Sequence, residues 1–256
     1  MQHELFSVEG KVVVVTGGSR GIGLMIARGF VEAGARVYVS SRKAEVCNEV
    51  AKELSTVGDC RPMPADLSTE DGCRGLAEAV TAEESAVHVL VNNAGANWGA
   101  PMAEHDHASW SRVLALNVEG VFHTTKFFRD ALEAASTDDD PARVINIGSI
   151  DGIQVPNLDT FSYSSSKAAV HQLTRHLAKQ MAPKVTVNAV APGPFQSKMM
   201  AATLDAFGDQ IASTAPMRRI GRPDDMAGVA IFLASAASTY ITGAVIPVDG
   251  GIATTK

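Results

Sequence analysis

Residues 11–23, Lys–Val–Val–Val–Val–Thr–Gly–Gly–Ser–Arg–Gly–Ile–Gly, leave this chain few folds to choose from. Four consecutive valines are too few for a helix and too uniformly apolar for a strand with one wet face. They read as a strand buried on both faces, the habit of parallel sheets. A glycine-rich turn follows, then a helical pattern from Ile22 to Ala33. Glycines at 17, 21 and 23 let the backbone turn tightly and keep side chains off the helix start. The free amides there, with the positive end of the helix dipole, form an anion site. Strand, glycine turn and helix N-terminus together point to a cofactor that carries a pyrophosphate. The spacing is Gly-x-x-x-Gly-x-Gly, which differs from the commonest dinucleotide fingerprint, Gly-x-Gly-x-x-Gly. The same residues also suit a turn that merely packs its helix on the sheet.

Beyond this turn, strand and helix patterns alternate to the end of the 256 residues. Strands are expected at 35–40, 60–65, 87–91, 143–148, 185–190 and 244–248. Helices are expected at 44–56, from a Ser68 or Thr69 cap to about 84, at 106–134 interrupted only by Gly120, at 161–182, and from Pro223 to about 236. The acidic stretch 136–141 reads as a solvated turn. Residues 195–222, rich in methionine, read as an excursion over the strand ends. No long linker or repeat divides the chain, so residues 1–256 read as a single α/β domain. Its sheet is doubly wound and parallel, with seven strands and helices on both faces. Ligands of such sheets bind at the carboxyl ends of the strands. The groups placed there are 17–23, Ser41–Arg42, Asp66, 92–95, Ser149 and Pro192–Gly193.

Composition narrows the function classes. Hydrophobic residues make up 46% and charged ones 20%, a globular balance, and the net charge of −6 argues against a nucleic-acid surface. No apolar run approaches the ~20 residues that cross a bilayer, and the N-terminus lacks a secretory layout. Cys47, Cys60 and Cys73 are odd in number and share no metal-ligand spacing, so free thiols of a soluble cytoplasmic protein are expected. His105 and His107 read as residues of a solvated stretch rather than a metal site.

Chemistry enters with Tyr163–Ser–Ser–Ser–Lys167. An i, i+4 pair shares one helix face, so phenol and ammonium stand side by side. A free tyrosine titrates near ~10, too high for efficient proton transfer at neutral pH. A neighbouring cation stabilises the phenolate and lowers that value. By itself the pair also fits an ordinary exposed helix face.

The set Thr16–Gly17–Gly18–Ser19–Arg20–Gly21–Ile22–Gly23, Asn92–Asn93–Ala94–Gly95, Asn117, Ser149, Tyr163-x-x-x-Lys167 and Pro192–Gly193 resembles the short-chain dehydrogenase/reductase family along the whole chain. The resemblance implies a seven-stranded Rossmann fold, assembled as a homotetramer with Asp249–Gly250–Gly251 near an interface. It implies that Tyr163 is the general acid, that Lys167 lowers the tyrosine pKa and binds the nicotinamide ribose, and that Ser149 holds the substrate oxygen. Asn117 would hold the water that links Lys167 to solvent. The cofactor would lie on Gly17, Ser19, Arg20, Gly21, Ile22 and Gly23, then on Ser41, Arg42, Asp66, Leu67, Asn93, Ala94 and Gly95. Tyr163, Lys167, Pro192, Gly193, Phe195 and Ser197 would complete its site, Phe195 and Ser197 replacing the more usual Ile and Thr.

The charge pattern favours NADP(H). Strand two ends in Ser40–Ser41–Arg42–Lys43 with no carboxylate to hold a ribose diol, and the guanidiniums of Arg20 and Arg42 suit a 2′-phosphate. Substrate signals are weaker. Residues 17–23, 141–149 and Pro216–Met217 before Gly221–Arg222–Pro223 resemble the 3-oxoacyl reductases, the rhamnolipid-associated ketoreductase type among them. Met199, Met200, Leu204, Phe207 and Ile211 would line a lid suited to an acyl chain, or serve as ordinary core contacts. Carrier-linked relatives resemble one another in being basic before strand five and after the catalytic helix; here Asp138–Asp139–Asp140 stands at the first place, where it would repel an acidic carrier, and Lys184 at the second. A ketoreductase of a 3-oxoacyl carrier or coenzyme A thioester is the leading expectation. A sugar or polyol dehydrogenase and a non-catalytic cofactor sensor are the alternatives.

Overall fold

The computed structural model describes residues 2–196, 208 and 210–255. A short helix α1 (Gln2–Leu5) leads into β1 (Val12–Thr16), α2 (Gly21–Glu32), β2 (Arg36–Ser40), α3 (Ala44–Leu54) and β3 (Asp59–Pro62). The chain continues through α4 (Glu70–Glu83), β4 (Val89–Asn92), α5 (His107–Leu114), α6 (Gly120–Ala135) and β5 (Ala142–Ile147). It ends with α7 (Phe161–Met181), β6 (Val185–Pro192), α8 (Pro223–Ala234) and β7 (Val245–Val248). The strands form one seven-stranded parallel sheet in the order β3-β2-β1-β4-β5-β6-β7. This is the expected Rossmann architecture, and its order reverses between β1 and β4, where such sheets open a ligand crevice.

The valine run explains why the sheet carries helices on both sides. Successive strand side chains point to opposite faces. Val13 and Val15 enter a core with Ile26 and Phe30 of α2, Leu54 of α3 and Leu233 of α8. Val12 and Val14 enter the opposite core with Leu76 of α4, Phe128 of α6 and Met181 of α7. Removing either layer would expose half of β1.

Three local expectations need correction. Gly120 does not interrupt the long helix. The break lies just before it, in a π-helical turn at Ala115–Glu119 that carries Asn117. The acidic loop before β5 is not merely solvated: Asp140 receives Lys11 Nζ and Arg143 Nη2, both at 2.7 Å. That loop and Lys184 sit at the amino ends of β5 and β6. The cleft lies at the carboxyl ends, so neither place borders it, and the repulsion expected against a carrier does not act at its mouth. Of the two caps expected for α4, Ser68 or Thr69, Thr69 is the one used, accepting from the Gly72 N–H at 3.1 Å. Among the described residues no helix is long and apolar enough to cross a membrane.

Candidate active site

The glycine turn is locked to the loop after β4. Thr16 Oγ1 accepts from the N–H groups of Asn93 and Ala94 at 2.9 and 3.0 Å while donating to the Val91 carbonyl at 3.1 Å. Asn93 Nδ2 donates to the carbonyls of Thr16 and Gly17 at 2.9 and 3.1 Å. Gly17 has φ of 63°, and a β-carbon there would lie 2.8 Å from that amide; one on Gly23 would collide with it outright. Glycine is therefore required twice, once for conformation and once for space. No side chain caps α2, and its first turn carries no acidic residue, so its leading amides face the turn without a protein acceptor on them. A bound anion would supply what the chain leaves out.

The second half of the cofactor region is equally receptive. The Gly18 N–H donates to the Ser40 carbonyl at 3.1 Å, joining the turn to the end of β2. Arg20, in the turn, and Arg42, just past β2, are exposed, and among the described residues neither side chain has a hydrogen bond or an ion pair. Arg42 is near enough to Asp66 to help lower its pKa, behind the larger effect of hydrogen bonds from Ser68. These residues fit a phosphorylated dinucleotide.

Ser149 follows β5 directly, and its Oγ accepts the Asp151 N–H at 3.1 Å. Tyr163 and Lys167 stand one turn apart on α7, with Lys167 Nζ 5.5 Å from the tyrosine ring centre. That ammonium donates to the Ile147 carbonyl at 2.7 Å. Burial pushes the Tyr163 phenol up to about 12; a hydrogen bond with Ser149 opposes the rise and the charge of Asp151 adds to it. Burial also pulls Lys167 down to about 8, with Asp151 opposing. The lowered tyrosine pKa expected from the sequence is therefore not found. Desolvation outweighs the hydrogen bond from Ser149 and keeps the phenol protonated. Asn117, 1% exposed, donates from Nδ2 to the Ala96 carbonyl and to Ser166 Oγ, both at 2.9 Å, and accepts the Ala96 N–H at 2.7 Å. Its side chain is largely spent on holding the loop after β4.

Several expected cofactor residues turn out to be supports. The Asn93 amide is spent on the glycine turn, and Leu67 is buried in the core beside α4. Phe195, 2% exposed, packs its ring on Gly221 and pairs with it across a β-bridge. Ile22 packs partly against the core, and Ser41 Oγ donates to the Lys43 carbonyl at 3.3 Å. The side chains of these residues are engaged within the protein. Gly193 donates its N–H to the Val248 carbonyl at 3.0 Å, next to buried Pro192. Gly95 stands where a β-carbon would be 3.3 Å from Asn117 Oδ1 and 3.8 Å from Lys167 Nζ. Ser197, and Met199, Met200, Leu204 and Phe207 of the expected lid, lie outside the described residues. His105 is half-buried rather than solvated, with Nε2 3.0 Å from the Ala100 carbonyl and 3.3 Å from that of Asp159.

Thr16, Ser166, Asp151 and His171 escaped the sequence reading. Thr16 and Ser166 lie inside the quoted motifs, and their positions were the available signal. His171 is one turn past Lys167, buried with Nε2 unpartnered; burial and the charge of Lys167 pull it down to about 4 and keep it neutral.

A protonated phenol beside a serine hydroxyl and a buried ammonium, at the switch point of a doubly wound sheet, is the site of an α/β oxidoreductase. Residues 17–253 match the family model described as Enoyl-(Acyl carrier protein) reductase. The rhamnolipids biosynthesis 3-oxoacyl-[acyl-carrier-protein] reductase of Pseudomonas aeruginosa is 47% identical over 97% of this chain and 98% of its own. Galactitol 2-dehydrogenase (L-tagatose-forming) of Cereibacter sphaeroides is 39% identical over 96% of each. The Pseudomonas aeruginosa RhlG/NADP active-site complex superposes with a TM-score of 0.95 at 45% identity, over 98% of this chain and 99% of that one. The chain belongs to the short-chain dehydrogenase/reductase family.

Proposed function

We propose that this enzyme reduces the ketone of a 3-oxoacyl thioester to a secondary alcohol, using NADPH and Tyr163 as general acid. The observation that carries the reading is the grouping of Ser149, Tyr163 and Lys167 with the phenol held protonated. When bound, NADPH supplies the hydride. Ser149 hydrogen-bonds the substrate oxygen, and Tyr163 gives its proton to that oxygen as charge develops there. The Lys167 charge stabilises the phenolate left behind, and Asn117 keeps the loop carrying Gly95 in register with Lys167. The proton donors are set to serve an oxygen, which favours a carbonyl over the carbon–carbon double bond implied by the family description. Identity of 47% to a 3-oxoacyl reductase supports the acyl class. The NADP of the RhlG complex, with unpaired Arg20 and Arg42 here, supports the cofactor.

Residues 195–222 serve as a substrate lid in this reading, supported by the Phe195–Gly221 bridge that brings the ends of that segment together. The enzyme works as a homotetramer in the cytoplasm, with β7 half-buried along its length as a face for a partner copy and three free, buried cysteines suited to a reducing compartment. The test is a turnover screen with NADPH against 3-oxoacyl thioesters of graded length, beside sugars and simple ketones. Thioesters should lead by at least tenfold in kcat/KM, and a lead for sugars would overturn the reading. Tyr163→Phe should lower kcat at least a thousandfold while NADPH still binds, as followed by cofactor fluorescence.

A further inference from the structure

A carboxylate that proton transfer does not require stands beside the catalytic pair. Asp151 is the middle residue of one 3-10 turn, Ile150–Gly152, that follows Ser149 directly. Side chains leave such a turn about 120° apart, and two of the three directions are taken. Ile150 is buried with Ala215 and Ile252. Gly152 faces α7, where a β-carbon would lie 2.7 Å from the Lys167 carbonyl carbon and the Ala168 nitrogen. The direction left belongs to Asp151, whose charge acts on both Tyr163 and Lys167. The carboxylate therefore stands within electrostatic reach of both groups. It is half-buried, and among the described residues it has neither a hydrogen-bond partner nor an ion pair. Burial raises its pKa, with Lys167 opposing. Its main-chain N–H is separately engaged, holding Ser149 Oγ.

We propose that Asp151 is a specificity-determining residue that sorts ketone substrates by charge, admitting neutral esters and thioesters and turning away oxo acids whose free carboxylate lies near the reacting carbonyl. The reacting oxygen must sit between Ser149 and Tyr163, so the carbons next to the carbonyl come under the charge of Asp151. A second carboxylate in that half-buried cleft meets a like charge poorly screened by water. Lys167 is the cation facing Asp151, bound to the Ile147 carbonyl, and neighbouring His171 is neutral. With the Asp151 charge removed, Lys167 is uncompensated and anionic substrates gain. A 3-oxo acid carries its carboxylate one methylene from the ketone, and its thioester carries none.

This sorting rests on the 3-oxoacyl reading only for the class of carbonyl, and two matched pairs separate the two ideas. The kcat/KM values with NADPH are measured for acetoacetate and its methyl ester, and for 4-oxopentanoate and its methyl ester. Wild type should prefer the ester in each pair. Asp151→Asn, which keeps the shape and the N–H that holds Ser149, should narrow the ester-to-acid ratio at least tenfold, and Asp151→Glu should keep it wide. Asp151→Ser is a second uncharged variant should the first fold poorly. A ratio that moves less than threefold in the uncharged variants, or as far in Asp151→Glu as in Asp151→Asn, overturns the proposal. Turnover confined to the 4-oxo pair would overturn the 3-oxoacyl reading and leave charge sorting to be judged on that pair.

Discussion

Burial drives Tyr163 and Lys167 in opposite directions, and in the proposed mechanism that opposition sets the pH range of the enzyme. The phenol is pushed up to about 12 and remains a proton donor through neutral pH. The ammonium is pulled down to about 8, so its charge is present below that value and is lost as pH rises through it. The charged form is the one that stabilises the phenolate, so kcat/KM should fall above about pH 8. Lys167→Arg should abolish this basic limb even while lowering the plateau, because a guanidinium does not titrate there; a pH–rate profile of both forms decides it. In the proposed function cofactor choice also rests on single residues. Arg42 is exposed and, among the described residues, has no hydrogen bond or ion pair. Arg42→Asp should therefore change the NADP-to-NAD preference by about a hundredfold in kcat/KM, since it replaces a phosphate donor with a like charge. An unmoved preference would mean that Arg42 faces away from the 2′-phosphate.

Among the elements, β5 carries the least obvious internal support. Arg143 is 1% exposed, yet only Nη2 is satisfied, by Asp140 and by the Ser235 carbonyl at 3.0 Å; Nε and Nη1 have no partner. Desolvation lowers the pKa of this guanidinium and Asp140 resists that shift, so the pair holds a buried charge in place. Asp140 also takes Lys11 from the start of β1, tying two strands together at the amino edge. Asp140→Ala should cost about 2 kcal/mol in chemical denaturation, below the full cost of orphaning a buried ion because Asp140 is partly exposed. The start of α8 depends on another carboxylate. Asp225 accepts both terminal nitrogens of Arg219, at 2.5 and 2.9 Å, and the Arg222 N–H at 2.7 Å. These contacts hold its pKa down to about 2. Because the folded value is depressed, the stability it adds is complete above the ordinary carboxylate range and is lost as pH falls toward 2. The melting temperatures of wild type and Asp225→Asn should therefore differ at pH 6 and converge near pH 2.

At the scale of the molecule, the sheet was readable because it is written in local pattern, whereas the candidate catalytic residues were grouped only by the resemblance of several motifs to one family. Four valines with neighbours on alternate faces must be covered twice, and a turn fixed by Gly17 and Gly23 must follow. What stayed hidden depends on contacts between distant segments. The π-turn under Asn117 lies in sequence that is helical by any local measure, and its unwinding shows only where Asn117 meets Ala96 and Ser166. Asp140 looks like loop acid until Lys11 and Arg143 arrive from other strands, and the ring of Phe195 looks free until Gly221 returns to cover it. Nothing in a 3-10 turn announces that the charge of Asp151 will act on Tyr163 and Lys167. The same reasoning bears on assembly. Apart from Arg36 the inner strands are buried residue by residue, but every residue of β7 is only half-buried, although Ile246 and Val248 pack toward the core. An edge strand with that profile is a liability in an isolated monomer. Gly250 and Gly251, both with positive φ, follow it and bring Ala215 and Pro216 alongside. Covering this edge with a second copy would remove the liability, and twofold symmetry would then bury the same strand from both subunits. Light scattering should give four times the 26.8 kDa chain mass at micromolar concentration. Val245→Lys, which places an unpartnered charge on that edge at a half-buried residue, should shift the population toward smaller species; a wild-type enzyme found monomeric would exclude β7 as a subunit face.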